Sequence, residues 1–248
     1  MRNSPRQIFL LAFAALVSST AISLDLERVR KHPNLQSMLS KTESQIGEHG
    51  QTHYYQMKMH FGSSRQPVKL IIDMSSAQTL VTSDLCTKCS TKSYIPAKST
   101  SVKDLGSQWD LKYPELHMRF KTIAYRDDVC MSHKGDLLCA KKYTFYNIYK
   151  QRGMKRWMGG IAGLGPVPAG SPDRSDSFVY TMAQEEEIQK PMVSIYISNN
   201  TNETSNIMFG DYNTSFIAGG DDKAIDWFEL SNKTDFQVDV SWAHFGDK

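Results

Sequence analysis

No stretch of this sequence approaches the ~18 consecutive apolar residues that a membrane-crossing helix requires, and no block of like charge is long enough to act as a tail. The net charge is +3 over 248 residues, with lysines dispersed between Lys88 and Lys155. So small and dispersed a charge argues against nucleic acid or a membrane surface as partner. Internal repeats and low-complexity tracts are absent. There is no Gly-x-Ser-x-Gly elbow, which removes the usual serine-hydrolase signature. Gly159, Gly160, Gly163 and Gly165 lack the Lys-Ser/Thr of a phosphate loop, so close backbone packing is the better account of them. Cysteine is scarce, at four residues, and Cys130 and Cys139 lie further apart than ligand pairs of a structural zinc site. His49, His53 and His60 straddle a loop-to-strand boundary and do not make a ligand set. Neither metal nor cofactor is expected.

What is present begins with Arg2 and Arg6, an apolar stretch over residues 8–17 and small residues at Ser19-Thr20-Ala21. This order predicts a secretory signal peptide over residues 1–21, and hence a secreted chain or one in an endomembrane lumen. Cysteines fit an oxidising compartment. Among the three connectivities open to four cysteines, local pairing of Cys86 with Cys89 and of Cys130 with Cys139 is preferred, because each pair brackets a polar loop. Asn-x-Ser/Thr tripeptides at Asn199, Asn202, Asn213 and Asn232 are candidate glycosylation sites and mark a solvent-facing rim if used.

The chain reads mostly as strand. Residues 54–61 alternate apolar and polar and stop at Gly62-Ser63-Ser64; an apolar run over 68–72 follows. Residues 110–113 and 116–120 suggest a hairpin around Pro114-Glu115, and 142–148 an aromatic-rich strand. Further strands are expected over 192–198, 206–209 and 225–230. One helix is predicted over 177–189, capped by Ser175 or Asp176 and ended by Lys190-Pro191. The class is all-β with one main helix.

Asp73 closes the apolar run and opens the turn Asp73-Met74-Ser75-Ser76. Around it, in order, stand Tyr54-Tyr55, Gly62, Gln66-Pro67, Val81, then Gly160-Ile161-Ala162-Gly163-Leu164-Gly165, Val193-Ser194-Ile195-Tyr196-Ile197, Ile207-Met208-Phe209-Gly210 and Trp227. This collinear set resembles the N-terminal lobe of the pepsin-like aspartic proteases, over roughly residues 52–248. The resemblance implies a lobe at 52–235 and the start of a truncated second lobe at 236–248. It also implies that Asp73 is a catalytic carboxylate, that Ser76 is the serine bonded to it, and that Tyr113 is the tyrosine of the substrate-covering flap. Residues 22–51, with Arg28, Arg30, Lys31, His32 and Lys41, resemble a propeptide whose basic residues cover the acidic cleft; a solvated arm is the alternative.

The departures from the family pattern are equally specific. Met74-Ser75 stands where Thr-Gly is expected, and a thioether is at best a weak acceptor. Ser75 adds a Cβ where the backbone wants a glycine. Pro114 stiffens the flap tip, Leu80 replaces a common Trp, and no second Asp-Thr/Ser-Gly occurs. In such enzymes two carboxylates share one proton across a bound water: one deprotonates the water and the other hydrogen-bonds the carbonyl oxygen. The resemblance therefore implies an aspartic-type endopeptidase family member, inactive as this single chain, acting on a peptide or protein. The alternative is a non-catalytic binding module for peptides or a protein partner. Phe236, Val238, Val240, Trp242 and Phe245 alternate with strand periodicity, and an uncovered apolar face of this kind favours self-association.

Overall fold

The computed structural model describes residues 21–30, 53–113, 117–167, 177–198, 203–231, 236 and 238–241. The elements are β1 (Ile22–Arg30), β2 (His53–Phe61), β3 (Gln66–Asp73), β4 (Leu80–Thr82), β5 (Lys103–Tyr113), β6 (Met118–His133), β7 (Asp136–Arg152), β8 (Gly160–Gly163), α1 (Phe178–Gln184), β9 (Val193–Tyr196) and β10 (Ser205–Phe209). The strands form one sheet in the order β5-β6-β7-β4-β8-β3-β2-β1-β10-β9, with β2 also reaching β6. Among the described residues this is the all-β lobe with one α-helix that the patterning predicts.

Alternation sets the register. In β3, Val68 and Leu70 are buried while Pro67 and Lys69 are exposed, and the strand pairs antiparallel with β2, Lys58 opposite Lys69. Its last residues, Ile71, Ile72 and Asp73, instead pair parallel with Ile161, Ala162 and Gly163 of β8. The carboxylate residue thus ends a strand at the sheet's centre. Two apolar clusters line the sheet, one with Phe61, Tyr94, Phe145, Phe178 and Phe209, the other with Leu80, Tyr113, Phe120, Tyr146 and Ile161. Leu80 fills the second at full burial.

Both predicted cysteine pairs are bonded. Cys86 and Cys89 close the loop after β4 with Cα atoms 5.4 Å apart. Cys130 and Cys139 join directly opposed positions of β6 and β7, whose turn places Lys134 and Gly135 at positive φ, as a tight hairpin turn requires.

Several expected boundaries move. The hairpin strands run much longer than the visible alternation, because each is paired along its length with a neighbour. The helix cap is Ser177, whose Oγ accepts from the Tyr180 amide at 3.3 Å; Ser175 and Asp176 lie outside the described residues. The helix ends at Gln184, since Glu186 turns the chain at φ 57° and drops Ile188 into the core. Residues 225–230 are not a strand: they follow a short 3-10 turn at Asp222–Ala224, have no strand partner among the described residues, and leave Trp227 70% exposed. Phe236, Val238 and Val240 are exposed and unpaired likewise, while Trp242 and Phe245 lie outside the described residues.

The first part of the propeptide-like arm is a sheet strand. β1 pairs with β10 through residues 22–26 and with β2 through 27–30, burying Ile22 and Leu26. Arg28 donates to the Ser198 carbonyl and lies over the Tyr55 ring at 5.8 Å. Residues 31–51 lie outside the described part.

Candidate active-site turn

The turn after β3 is held from below. The Leu164 amide donates to the Asp73 carbonyl and the Gly165 amide to the Ser76 carbonyl, each at 2.8 Å. Such close approach excludes side chains: a Cβ at Gly163 would lie 2.4 Å from the Gln78 carbonyl oxygen, and one at Gly165 would lie 2.9 Å from those of Met74 and Ser76. Gly163 and Gly165 are therefore a steric demand of the segment above them, while Gly160 answers to β4, where a Cβ would lie 2.0 Å from the Leu80 carbonyl oxygen.

Within that turn the half-buried Asp73 carboxylate is occupied by its neighbours. Oδ1 accepts the Ser75 amide at 2.9 Å and the Ser75 hydroxyl at 2.6 Å; Oδ2 accepts the Ser76 hydroxyl at 2.5 Å. A carboxylate offers about four lone-pair directions, so three donors leave little acceptor capacity for anything else. The Ser76 hydroxyl also lies 3.3 Å from the Tyr113 hydroxyl, which joins Asp73, Ser76 and Tyr113 in one line. Tyr113 is buried against Phe120, with ring centroids 5.7 Å apart. Burial pushes its hydroxyl up to about 12; the Ser76 contact pulls it down and the Asp73 charge pushes it up.

Motif matching therefore finds three residues that the fold brings together. It misreads a fourth. Ser75 is not in the left-handed region that favours glycine; its backbone is accommodated and its hydroxyl becomes the second donor to Oδ1. Met74 does not face outward for a partner. It packs against the larger core cluster, which is how an apolar residue is tolerated there. Pro114 lies outside the described residues.

No other carboxylate among the described residues hydrogen-bonds this group, and no cluster among them would hold a metal ion. An apolar recess of about 270 Å³ flanks the turn, lined by Tyr54, Tyr55, Ile72, Ile195 and Ile197. A groove of about 650 Å³ lies beneath it, bounded by Leu164, Gly165, Val179, Trp227 and Phe236. Of the sequons, Asn213 is exposed and accepts from the Ser215 amide at 2.9 Å; Asn199, Asn202 and Asn232 fall outside the described residues.

A strand-end carboxylate over a glycine-tight turn, facing a buried tyrosine from a neighbouring hairpin, defines a pepsin-like lobe. The chain belongs to the eukaryotic aspartyl protease family, whose model matches residues 54–248. It is similar to syncephapepsin of Syncephalastrum racemosum, at 25% identity over 166 residues, 66% of this chain and 41% of that protein. The match thus spans well under half of that relative. The disulfides and the family fit a secreted or lumenal protein. No helix among the described residues is long and apolar enough to cross a membrane.

Proposed function

We propose that this chain supplies one carboxylate, Asp73, of an aspartic-type endopeptidase site, and that by itself it does not hydrolyse peptide bonds. The observation that carries this reading is the occupancy of Asp73: both its oxygens are engaged by Ser75 and Ser76 of its own turn. Peptide hydrolysis by this chemistry needs one carboxylate to take a proton from water while a second, protonated, bonds the carbonyl oxygen. One group cannot do both, and the Ser75 hydroxyl competes with water for Oδ1. Ser76 orients the carboxylate, and Tyr113 closes over a peptide bound beside the turn. Residues 22–51 act as the propeptide-like arm, and the protein works in a secreted or lumenal setting.

The test is incubation of residues 22–248 with denatured globin between pH 3 and pH 7, beside an Asp73→Ala control. No cleavage above the control is expected. Cleavage that a pepstatin-type transition-state analogue blocks, and that Asp73→Ala abolishes, overturns the reading in favour of a self-assembled site.

A second reading is favoured by the Ser75 hydroxyl alone: a lobe that binds peptide beneath Tyr113 without cutting it. Saturable binding of an extended peptide, weakened by Tyr113→Ala and leaving the peptide intact, supports it.

A further inference from the structure

The cations that the sequence disperses are gathered by the β5-β6-β7 hairpins. Lys112 stands opposite Arg119, and Arg119 opposite Arg152; one row along, Asp110 stands opposite Lys121, and Lys121 opposite Lys150. Residues two apart on a strand share a face. All six are exposed, while the alternate residues Tyr113, Met118 and Phe120 are buried. Five cations and one carboxylate therefore form a two-row grid on the outer side of the hairpin that carries Tyr113.

Asp110 does not neutralise it. Its carboxylate is spent on Arg119, whose Nε donates to Oδ1 at 2.6 Å and Nη2 to Oδ2. Lys112, Lys121, Lys150 and Arg152 have no ion pair with a described residue. Like charges directly opposite one another weaken a sheet, so this arrangement opposes the fold until an external anion meets it.

We propose that this outer face binds a linear sulfated polysaccharide. Neighbouring strands lie about 4.8 Å apart and same-face residues about 6.7 Å apart, so the charges repeat in two dimensions and suit a polymer of closely spaced anions better than one phosphate. Among the described residues the face carries no exposed apolar anchor for a bilayer. Its neighbouring residues are Gln108 and Tyr149, tied together by a hydroxyl donated to Oε1 at 3.4 Å. A peptide strand added at the sheet's β5 edge would run beside Asp110 and Lys112 and lie two to three strand spacings from Lys121, Lys150 and Arg152, so it would not engage the grid as a whole. The disulfides fit a secreted or lumenal setting, where polyanionic glycans rather than nucleic acids are the expected partners. None of this depends on Asp73.

The experiment compares the full secreted chain with Lys121→Glu/Lys150→Glu and with a charge-matched control, Lys58→Glu/Lys98→Glu, both of whose sites are exposed and off the grid. Thermal unfolding first establishes that each is folded. Heparin is the probe, by salt elution and by titration. The grid variant is expected to bind about tenfold more weakly or worse, as loss of several counterion-releasing contacts implies, while the control stays close to the parent and desulfated heparin fails to compete. Equal losses in both variants would reduce the effect to bulk charge and overturn the proposal. Tighter binding of the parent to poly-glutamate, to an oligonucleotide or to phosphatidylserine vesicles would overturn it in favour of that other partner.

Discussion

Substitutions at Ser76 and Asp73 move the Tyr113 hydroxyl in opposite directions. The Ser76 contact lowers it and the Asp73 charge raises it, so Ser76→Ala shifts its alkaline titration later and Asp73→Asn shifts it earlier. Ultraviolet titration of tyrosinate reads both shifts, with Tyr113→Phe identifying the transition. The sign for stability follows. A folded-state value of about 12 lies above the unfolded value of about 10, so this burial contributes fully below pH ~10 and is lost as pH rises through ~12. Tyr94 adds to the same loss: burial, then its hydrogen bond to Asp127, raises it as well. At this scale Asp73, Ser76 and Tyr113 were legible because each is a residue type at a motif position. The Ser75 hydroxyl was not, since a motif records which side chain is missing, and only the turn's geometry shows what the replacement touches.

Between elements, the tightest constraint is β8 beneath the turn. Gly163→Ala places a Cβ 2.4 Å from the Gln78 carbonyl oxygen, against backbone that cannot swing aside, and is expected to cost about 1–3 kcal/mol in urea unfolding. The outer face of β6 behaves in the opposite sense. Lys150→Glu replaces a like-charge opposition to Lys121 with an attraction, and the thermal midpoint is expected to rise by about 1–2 °C. Strand existence was readable from alternation at 54–61 and from the aromatic-rich run at 142–148. Strand length was not, because β5, β6 and β7 extend through polar stretches that only cross-strand pairing holds. The same limit explains the failure at 225–230: periodicity states that a segment suits a strand, and a neighbour decides whether it becomes one. Sequence order hides proximity in a related way, since cations far apart along β5, β6 and β7 stand opposite one another across the sheet.

For the molecule as a whole, sheet continuity rests on β1, which bridges β2 and β10. Leu26→Ala opens a cavity on that bridge, where the side chain is 5% exposed, and should destabilise by about 2–5 kcal/mol. At the other extreme, Trp227 and Phe228 are 70% and 73% exposed beside an exposed Phe236. The chain is expected to bind a hydrophobic dye and to associate as concentration rises, and Trp227→Ser/Phe228→Ser should reduce both in dye titration and sedimentation. The bridge also has a history within each molecule's lifetime. Asn206 Nδ2 reaches Ser23 Oγ at 2.7 Å across 183 residues of sequence, so the first strand waits for nearly the last. At synthesis rates of roughly 5–20 residues per second, that wait is about 10–40 seconds, during which Ile22, Leu24 and Leu26 have no strand to lie against. In that interval those side chains stay uncovered, and this side of the sheet closes only when β10 arrives.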